Sequence, residues 1–346
     1  MSKVKLVAAG DVLLHSRVYN KCKQKDGTYN FDDKFGHAKE LLSSGDVTIV
    51  NLESIVAGTE FGLSSYPRFN NPIEIAQTLK DYGTDIVSLA NNHVYDHGVE
   101  GLLKSLENLN EINLPYVGAY SSIEDNDTYR IIEKNGLKIG FVSYTREFKR
   151  LKKIEKDKDY LVNIFDEQNV IPMRNQIQKL ADSGLVDLVV VALHFGKEYT
   201  LYPTAVQREI AAEISDGGAD VILGHHPHVL QPPEIILNSR GKKSFFIPSL
   251  GNFYSGQHGV YRQIGATLSI DIEKVEGNPI ISFQNPTLHL TFVDTFDKKD
   301  FKMYSFMEYI KTNPYIKTNR GTFESLEIFT ELVNRMRSKI TDLSLK

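Results

Sequence analysis

Five short polar clusters in this chain carry residue types that bind metal ions and move protons. Asp11 and His15 lie in GDVLLH, and Asn51 and Glu53 in VNLES. Asn91, Asn92, His93, Asp96 and His97 lie in ANNHVYDHG, His194, Glu198 and Tyr199 in LHFGKEY, and His225, His226 and His228 in GHHPH. Three imidazoles within four positions are costly to bury unless something binds them. Taken singly, each cluster has a plainer reading: GHHPH as a solvated turn, Asn91 and Asn92 as turn formers, Asp11 as a cap, Glu53 as a surface carboxylate. Those readings would have to hold five times over. Seven of the ten histidines fall in these segments, and that concentration points to a shared site. Neutral imidazoles beside carboxylate and amide oxygens suit a divalent transition metal, namely zinc, manganese or iron. A carboxylate able to bridge suggests one or two ions, and paired ions serve hydrolysis, activating water and stabilising the attacking and leaving oxygens.

The clusters need elements to position them, and apolar β-branched runs precede all five. VKLVAAG ends at Asp11, VTIV at Asn51 and Glu53, DIVSLA at Asn91, DLVVVAL at His194 and ADVILG at His225. SFFIPSLGN adds a further strand and the loop residue Asn252. Most of these runs are apolar throughout, as strands buried on both faces are. Amphipathic segments alternate with them: NPIEIAQTLKDYG, VEGLLKSLENLNEI, EQNVIPMRNQIQKLADSG and TAVQREIAAEISDGG are predicted helices. The pattern is α/β, and in such sheets ligands bind beyond the carboxyl ends of the strands, where the five loops can converge. Asn135-Gly136 between YRIIEK and LKIGFVSYT predicts a hairpin with a type I′ turn, so the sheet system is mixed. The charge run Lys149–Tyr160 could be a substrate-facing lid or a solvated loop, and is read as the solvated loop. The residues from about Phe301 onward read as helical and carry no chemical motif.

Composition narrows the function. A chain of 346 residues that is 41% hydrophobic and 24% charged, with net charge −4, is a globular protein with little electrostatic support for a nucleic-acid partner. One cysteine, Cys22, excludes an internal disulfide and any multi-thiolate metal site. No run of about 18 apolar residues appears, so the chain as written is expected to be cytoplasmic, or membrane-anchored if an N-terminal anchor precedes it.

The ordered series GDVLLH, NLES, ANNHVYDHG, LHFGKEY, GHHPHVLQP and PSLGNF resembles the CapA, or poly-γ-glutamate biosynthesis, family of capsule-synthesis proteins, a branch of the calcineurin-like metallophosphatase superfamily. The resemblance runs from about Val4 to Phe253. It implies a four-layer α/β/β/α sandwich over residues 1–300, with 301–346 as a helical extension packed on it; the strand pattern alone does not show two sheets. It also implies metal ligation by Asp11, Glu53, Asn92, His194, His226 and His228, with His93 acting on the leaving group. His225 is then an additional imidazole beside the site. Glu198 is a candidate general base and Tyr199 a substrate clamp, or both cap the segment that follows. Asp96 and His97 are expected to orient His93, with His15, Asn51, Asn91 and Asn252 supporting. One departure stands out: the superfamily pattern Asp-x-His meets Leu13, which cannot ligate, leaving the Asp11, Glu53 and His228 side one ligand short. The implied function is a metal-dependent hydrolase acting on a phosphoester or an amide-linked anionic polymer. The alternatives are a non-catalytic accessory subunit of the capsule or polyglutamate machinery, or a binding protein with a structural metal.

Overall fold

The computed structural model describes residues 2–275, 281–296 and 300–346. The apolar runs form the centres of two large mixed sheets. In the first, Ser2–Leu13 pairs in parallel with Val47–Leu52, which continues to Ile86–Ser88 and Tyr116–Val117. On its other side Ser2–Leu13 meets Ile264–Lys274 antiparallel, and beyond that lies Ile281–Val293. The second sheet runs from Glu234–Leu237 through Lys243–Ile247, Val221–His225, Leu188–His194 and Leu137–Arg146 to Arg130–Lys134. The last two strands form the expected hairpin. Asn135 and Gly136 have φ of 50° and 76°, the left-handed pair that a type I′ turn requires.

Three apolar clusters give the layers. Between the sheets, Leu6, Ala8 and Ile49 of the first pack with Ile139, Val190 and Leu223 of the second. Outside the first sheet, Val50 and Val87 meet Leu79 from the helix Glu74–Asp81 and Leu102, Leu106 and Leu109 from Gly98–Glu111. Outside the second, Val191 and Ile222 meet Ile177 from Ile171–Ala181 and Ile210 and Ile214 from Ala205–Asp216. The i, i+3/i+4 spacing of the helix residues puts them on one face, and each fully buried Leu or Ile contributes about 2 kcal/mol. The arrangement is an α/β/β/α sandwich with its polar clusters at one rim.

The C-terminal segment is helical over Phe306–Thr312 and Ser325–Met336. Its helices are accompanied by the strand Met303–Ser305 on the first sheet and a small hairpin, Tyr315–Thr318 with Gly321–Glu324. Ile316, Leu332 and Met336 are buried in the cluster between the sheets. The sequence pattern showed the helical periodicity but not these short strands: Met303–Ser305 pairs with Ile281–Val293, and the hairpin closes within the segment itself.

Candidate metal centre

Strand register brings the clusters together. Asp11 stands opposite Asn51 on one side and Asn252 on the other; in the second sheet Thr145, His194 and His225 are in register. The two rows face each other at the rim. Two glycines let the segment Pro248–Gly251 pass close to both strands. A Cβ on Gly10 would lie 2.1 Å from the Gly251 carbonyl oxygen, and one on Gly224 would lie 1.9 Å from that of Pro248. The loop after Val221–His225 is strained: His226 and His228 have φ of 96° and 58°, and Tyr199, whose N–H donates to Pro227, has 64°. Non-glycine residues adopt this region at a cost of order 1–3 kcal/mol each, which the surrounding fold must sustain.

Glu53, His194 and His226 can place one donor atom each within 4.8 Å of the others, as can Asp11, Glu53 and His228, and Glu198, His226 and His228. Glu53 belongs to two of these groups and lies between them. It is fully buried, and neither of its carboxylate oxygens accepts a hydrogen bond. Its Oε1 lies 3.5 Å from His194 Nε2 and 3.6 Å from His228 Nε2. Burial, reinforced by the Asp11 charge, pushes the Glu53 carboxyl well above the ordinary carboxylate range. A divalent cation between these groups would reverse that direction. Asp11 is different: burial opposes its charge, but the imidazoles of His225 and His228 outweigh burial and hold it well below its usual value. Burial first, then neighbouring imidazoles, holds His194 and His226 well below the normal histidine range, so both are neutral and able to ligate.

The residues around these groups fix their orientation. Asn252 Oδ1 accepts from His228 Nδ1 at 3.0 Å, so the Nε2 lone pair faces Glu53. Asn51 donates to Asp11 at 2.8 Å, and His225 Nδ1 lies 3.1 Å from the same oxygen. Asn92 Oδ1 lies 2.9 Å from His194 Nε2, about the separation of two neighbouring ligands at ~2.1 Å from one ion. Asn91 does not reach the cluster. Its amide donates to Leu52 and its oxygen accepts from the His93 N–H, which holds the turn.

His93 faces a polar cavity of about 430 Å³ that also exposes His228, His15 and Leu13. Its Nδ1 donates to Asp96 at 2.7 Å, leaving Nε2 for the cavity. Asp96, fully buried in its side chain, also accepts from the Phe69 N–H and from Arg150. Expected beside Asp96 as a second support for His93, His97 instead bonds Ser64 at 2.9 Å. It flanks the start of the Gly98–Glu111 helix and turns away from His93. His15 is absent from the ligand groups and packs edge-on against Phe69. Glu198 is exposed, and neither it nor Tyr199 caps the next helix, which Thr204 and Gln207 close with a capping box.

Several site-lining residues carry no spacing signature. Phe69 packs against His93 and Phe148 against His194 and His226, and an aromatic in a loop looks the same whether it lines a site or a core. Arg150 belongs to the run expected to be a solvated loop. Lys149, Lys152, Lys153 and Lys156 there are exposed, but Leu151 and the adjoining Leu161 are buried and Arg150 reaches Asp96. The loop is therefore a wall of the site, with its apolar residues as the anchors.

A family model described as bacterial capsule synthesis protein PGA_cap matches residues 5–257. The capsule biosynthesis protein CapA of Bacillus anthracis is 29% identical over 263 residues, covering 74% of this chain and 60% of that protein. The PGA biosynthesis protein CapA of Bacillus subtilis (strain 168) is 30% identical over 272 residues, covering 77% of this chain and 67% of that protein. The chain thus spans three fifths to two thirds of the length of these relatives. Among solved structures, the calcineurin-like phosphoesterase YfkN from Bacillus subtilis superposes with a TM-score of 0.49 at 14% identity, over 84% of this chain and 90% of that one. Among the described residues, no helix is long and apolar enough to cross a membrane.

Proposed function

Since the chain belongs to the bacterial capsule synthesis family PGA_cap, we propose that it is a metal-dependent hydrolase acting on a phosphoester or an amide-linked anionic polymer. The observation that carries this reading is Glu53. A carboxylate with both oxygens buried and without a hydrogen-bond partner, faced by two imidazole nitrogens, is costly unless a cation satisfies it. In this reading Glu53, Asn92, His194 and His226 hold one divalent ion, and Asp11, Glu53 and His228 hold a second more weakly. Bound there, zinc, manganese or iron supplies Lewis acidity and water activated at neutral pH. The protein's own residues do the rest. Asp96 fixes the His93 tautomer so that Nε2 can deliver a proton to the leaving group, and Phe148 excludes solvent from the His194 and His226 faces. Glu198, at the open side beside His226 and His228, is placed to accept a proton.

The protein is proposed to work with the capsule or polyglutamate machinery, as the names of the two relatives suggest. The test combines metal analysis with assays on an aryl phosphate, an alkyl phosphate and γ-linked glutamate oligomers. His93→Ala is expected to keep its metal while losing about 10²–10⁴ in rate on a basic leaving group, and less on an activated aryl one. Equal losses on both would remove the proton-donor role. A metal-loaded wild type that turns over none of these substrates would favour a non-catalytic accessory subunit instead.

A further inference from the structure

The metal cluster lies within the residues that match the family model, but the cavity above it does not close with them. Its wall is completed by Arg262 and by Arg320, both beyond residue 257. Arg17, from the helix Ser16–Tyr19, joins them on the same cavity. Glu198 is the only carboxylate among the residues lining it, and among the described residues none of the three guanidinium groups forms an ion pair. Three unpaired cations around one concave polar site, in a chain of net charge −4, make a local positive field.

Two of the cations are held through their side chains and the third through its backbone. Arg17 donates to His258 and to the Gly256 carbonyl, while its buried Nε has no partner. Arg262 lies 4.2 Å over the Tyr199 ring. Arg320 occupies the tip of the hairpin Tyr315–Thr318 with Gly321–Glu324, where its N–H donates to Thr318 Oγ1 at 3.0 Å. That hairpin is anchored by Ile316, fully buried between the sheets, and by Ser325, which donates to the Pro314 and Asn313 carbonyls. The C-terminal segment therefore delivers a cation to the mouth of the site on a fixed backbone support.

We propose that Arg17, Arg262 and Arg320 clamp a second oxyanion of the substrate, a carboxylate or a phosphate, beside the bond presented to the metal cluster. Planar guanidinium groups suit either oxyanion, since both accept paired hydrogen bonds. The clamp selects substrates carrying at least two anionic groups, and the segment after residue 257 becomes a specificity element. This rests on the hydrolase reading for what lies at the metal, but the clamp is read by binding alone.

The test is calorimetric binding to the metal-loaded full chain. The probes are γ-linked triglutamate, its fully amidated neutral analogue, and tripolyphosphate. Arg320→Gln alters only an exposed turn and does not threaten folding; Arg262→Gln is paired with Arg262→Lys, which keeps the charge but not the fork. Each Gln variant is expected to weaken the preferred anionic probe about tenfold, with metal content unchanged and an intermediate loss for Arg262→Lys. Tighter binding of triglutamate assigns a carboxylate source, and tighter binding of tripolyphosphate a phosphate source. Unchanged affinities in both Gln variants, equal losses for the neutral analogue, or no binding of either anion by wild type would each overturn the clamp. Intact anion binding without turnover would instead count against the hydrolase reading and leave the clamp standing.

Discussion

The two halves of the metal cluster are built from the same residue types but are satisfied in different ways. Around Asp11 more of the polar groups serve one another: Asn51 and His225 bond its Oδ1 and Asn252 orients His228, with Asp11 Oδ2 and Asn51 Oδ1 left buried without partners. Around His194 and His226 the rings have less support: Asn92 lies within hydrogen-bond distance of His194 Nε2, but the Nδ1 atoms of both rings are buried without partners, as are both oxygens of Glu53, which the two halves share. A hydrogen-bonded network can stand without a ligand, whereas orphaned donors and acceptors of this kind cost about 1–3 kcal/mol each. The contrast ranks the halves. In the proposed reading the side containing His194 and His226 holds its cation more firmly, and the Asp11 side, with Leu13 where an imidazole could stand, less firmly.

The largest expected effect breaks the contrast directly. A His194→Ala, His226→Ala double variant should lose at least about 100-fold in affinity for the first metal equivalent, against about tenfold for His225→Ala, which only supports Asp11. Equilibrium dialysis against a metal buffer measures both, and equal losses would mean that the halves do not differ.

A smaller effect sharpens it. Leu13 is buried and lines the cavity. Leu13→His should therefore tighten the second equivalent several-fold without changing the first. A wild type that already holds two ions with equal affinity would sink the proposal that Leu13 weakens that side.

The smallest effect concerns His15, on the cavity wall near the Asp11 half. Burial first, then the Arg17 charge, lowers its pKa from 6.5 to about 3. It is neutral in the fold but takes a proton in the unfolded chain, so its stabilising contribution is complete above pH ~6.5 and is lost as pH falls toward ~3. The loss through this group is at most about 1.4 kcal/mol per pH unit. Unfolding of chelator-treated protein between pH ~6.5 and ~5 should show a shallower loss of stability for His15→Gln than for wild type. Identical slopes would show that His15 is already protonated in the folded protein.

Much of the fold and of the cluster was legible because it depends on local chemistry. Apolar runs such as DLVVVAL are buried on both faces wherever they occur, Asn135-Gly136 turns the chain by its own backbone preferences, and each ligand-bearing loop directly follows or lies near a strand end. Residue type together with position after apolar runs marked Asp11, Glu53, Asn92, His93 and the His225–His228 loop as one group, and their meeting needs the strand ends of two sheets to face each other at one rim. Other features depend on which distant segments meet. The division into two sheets is set by which faces pack together, a choice that strands buried on both sides leave open in the sequence. The turn of His97 toward Ser64 and of Arg150 toward Asp96 follows from packing of loops about 30 and 50 residues away. The difference in hydrogen bonding between the two halves is likewise tertiary, because a hydrogen bond is fixed by distance and angle between atoms and no spacing along the chain encodes these. The sequence determined which donor atoms are available; the tertiary structure decided which of them were left without a partner.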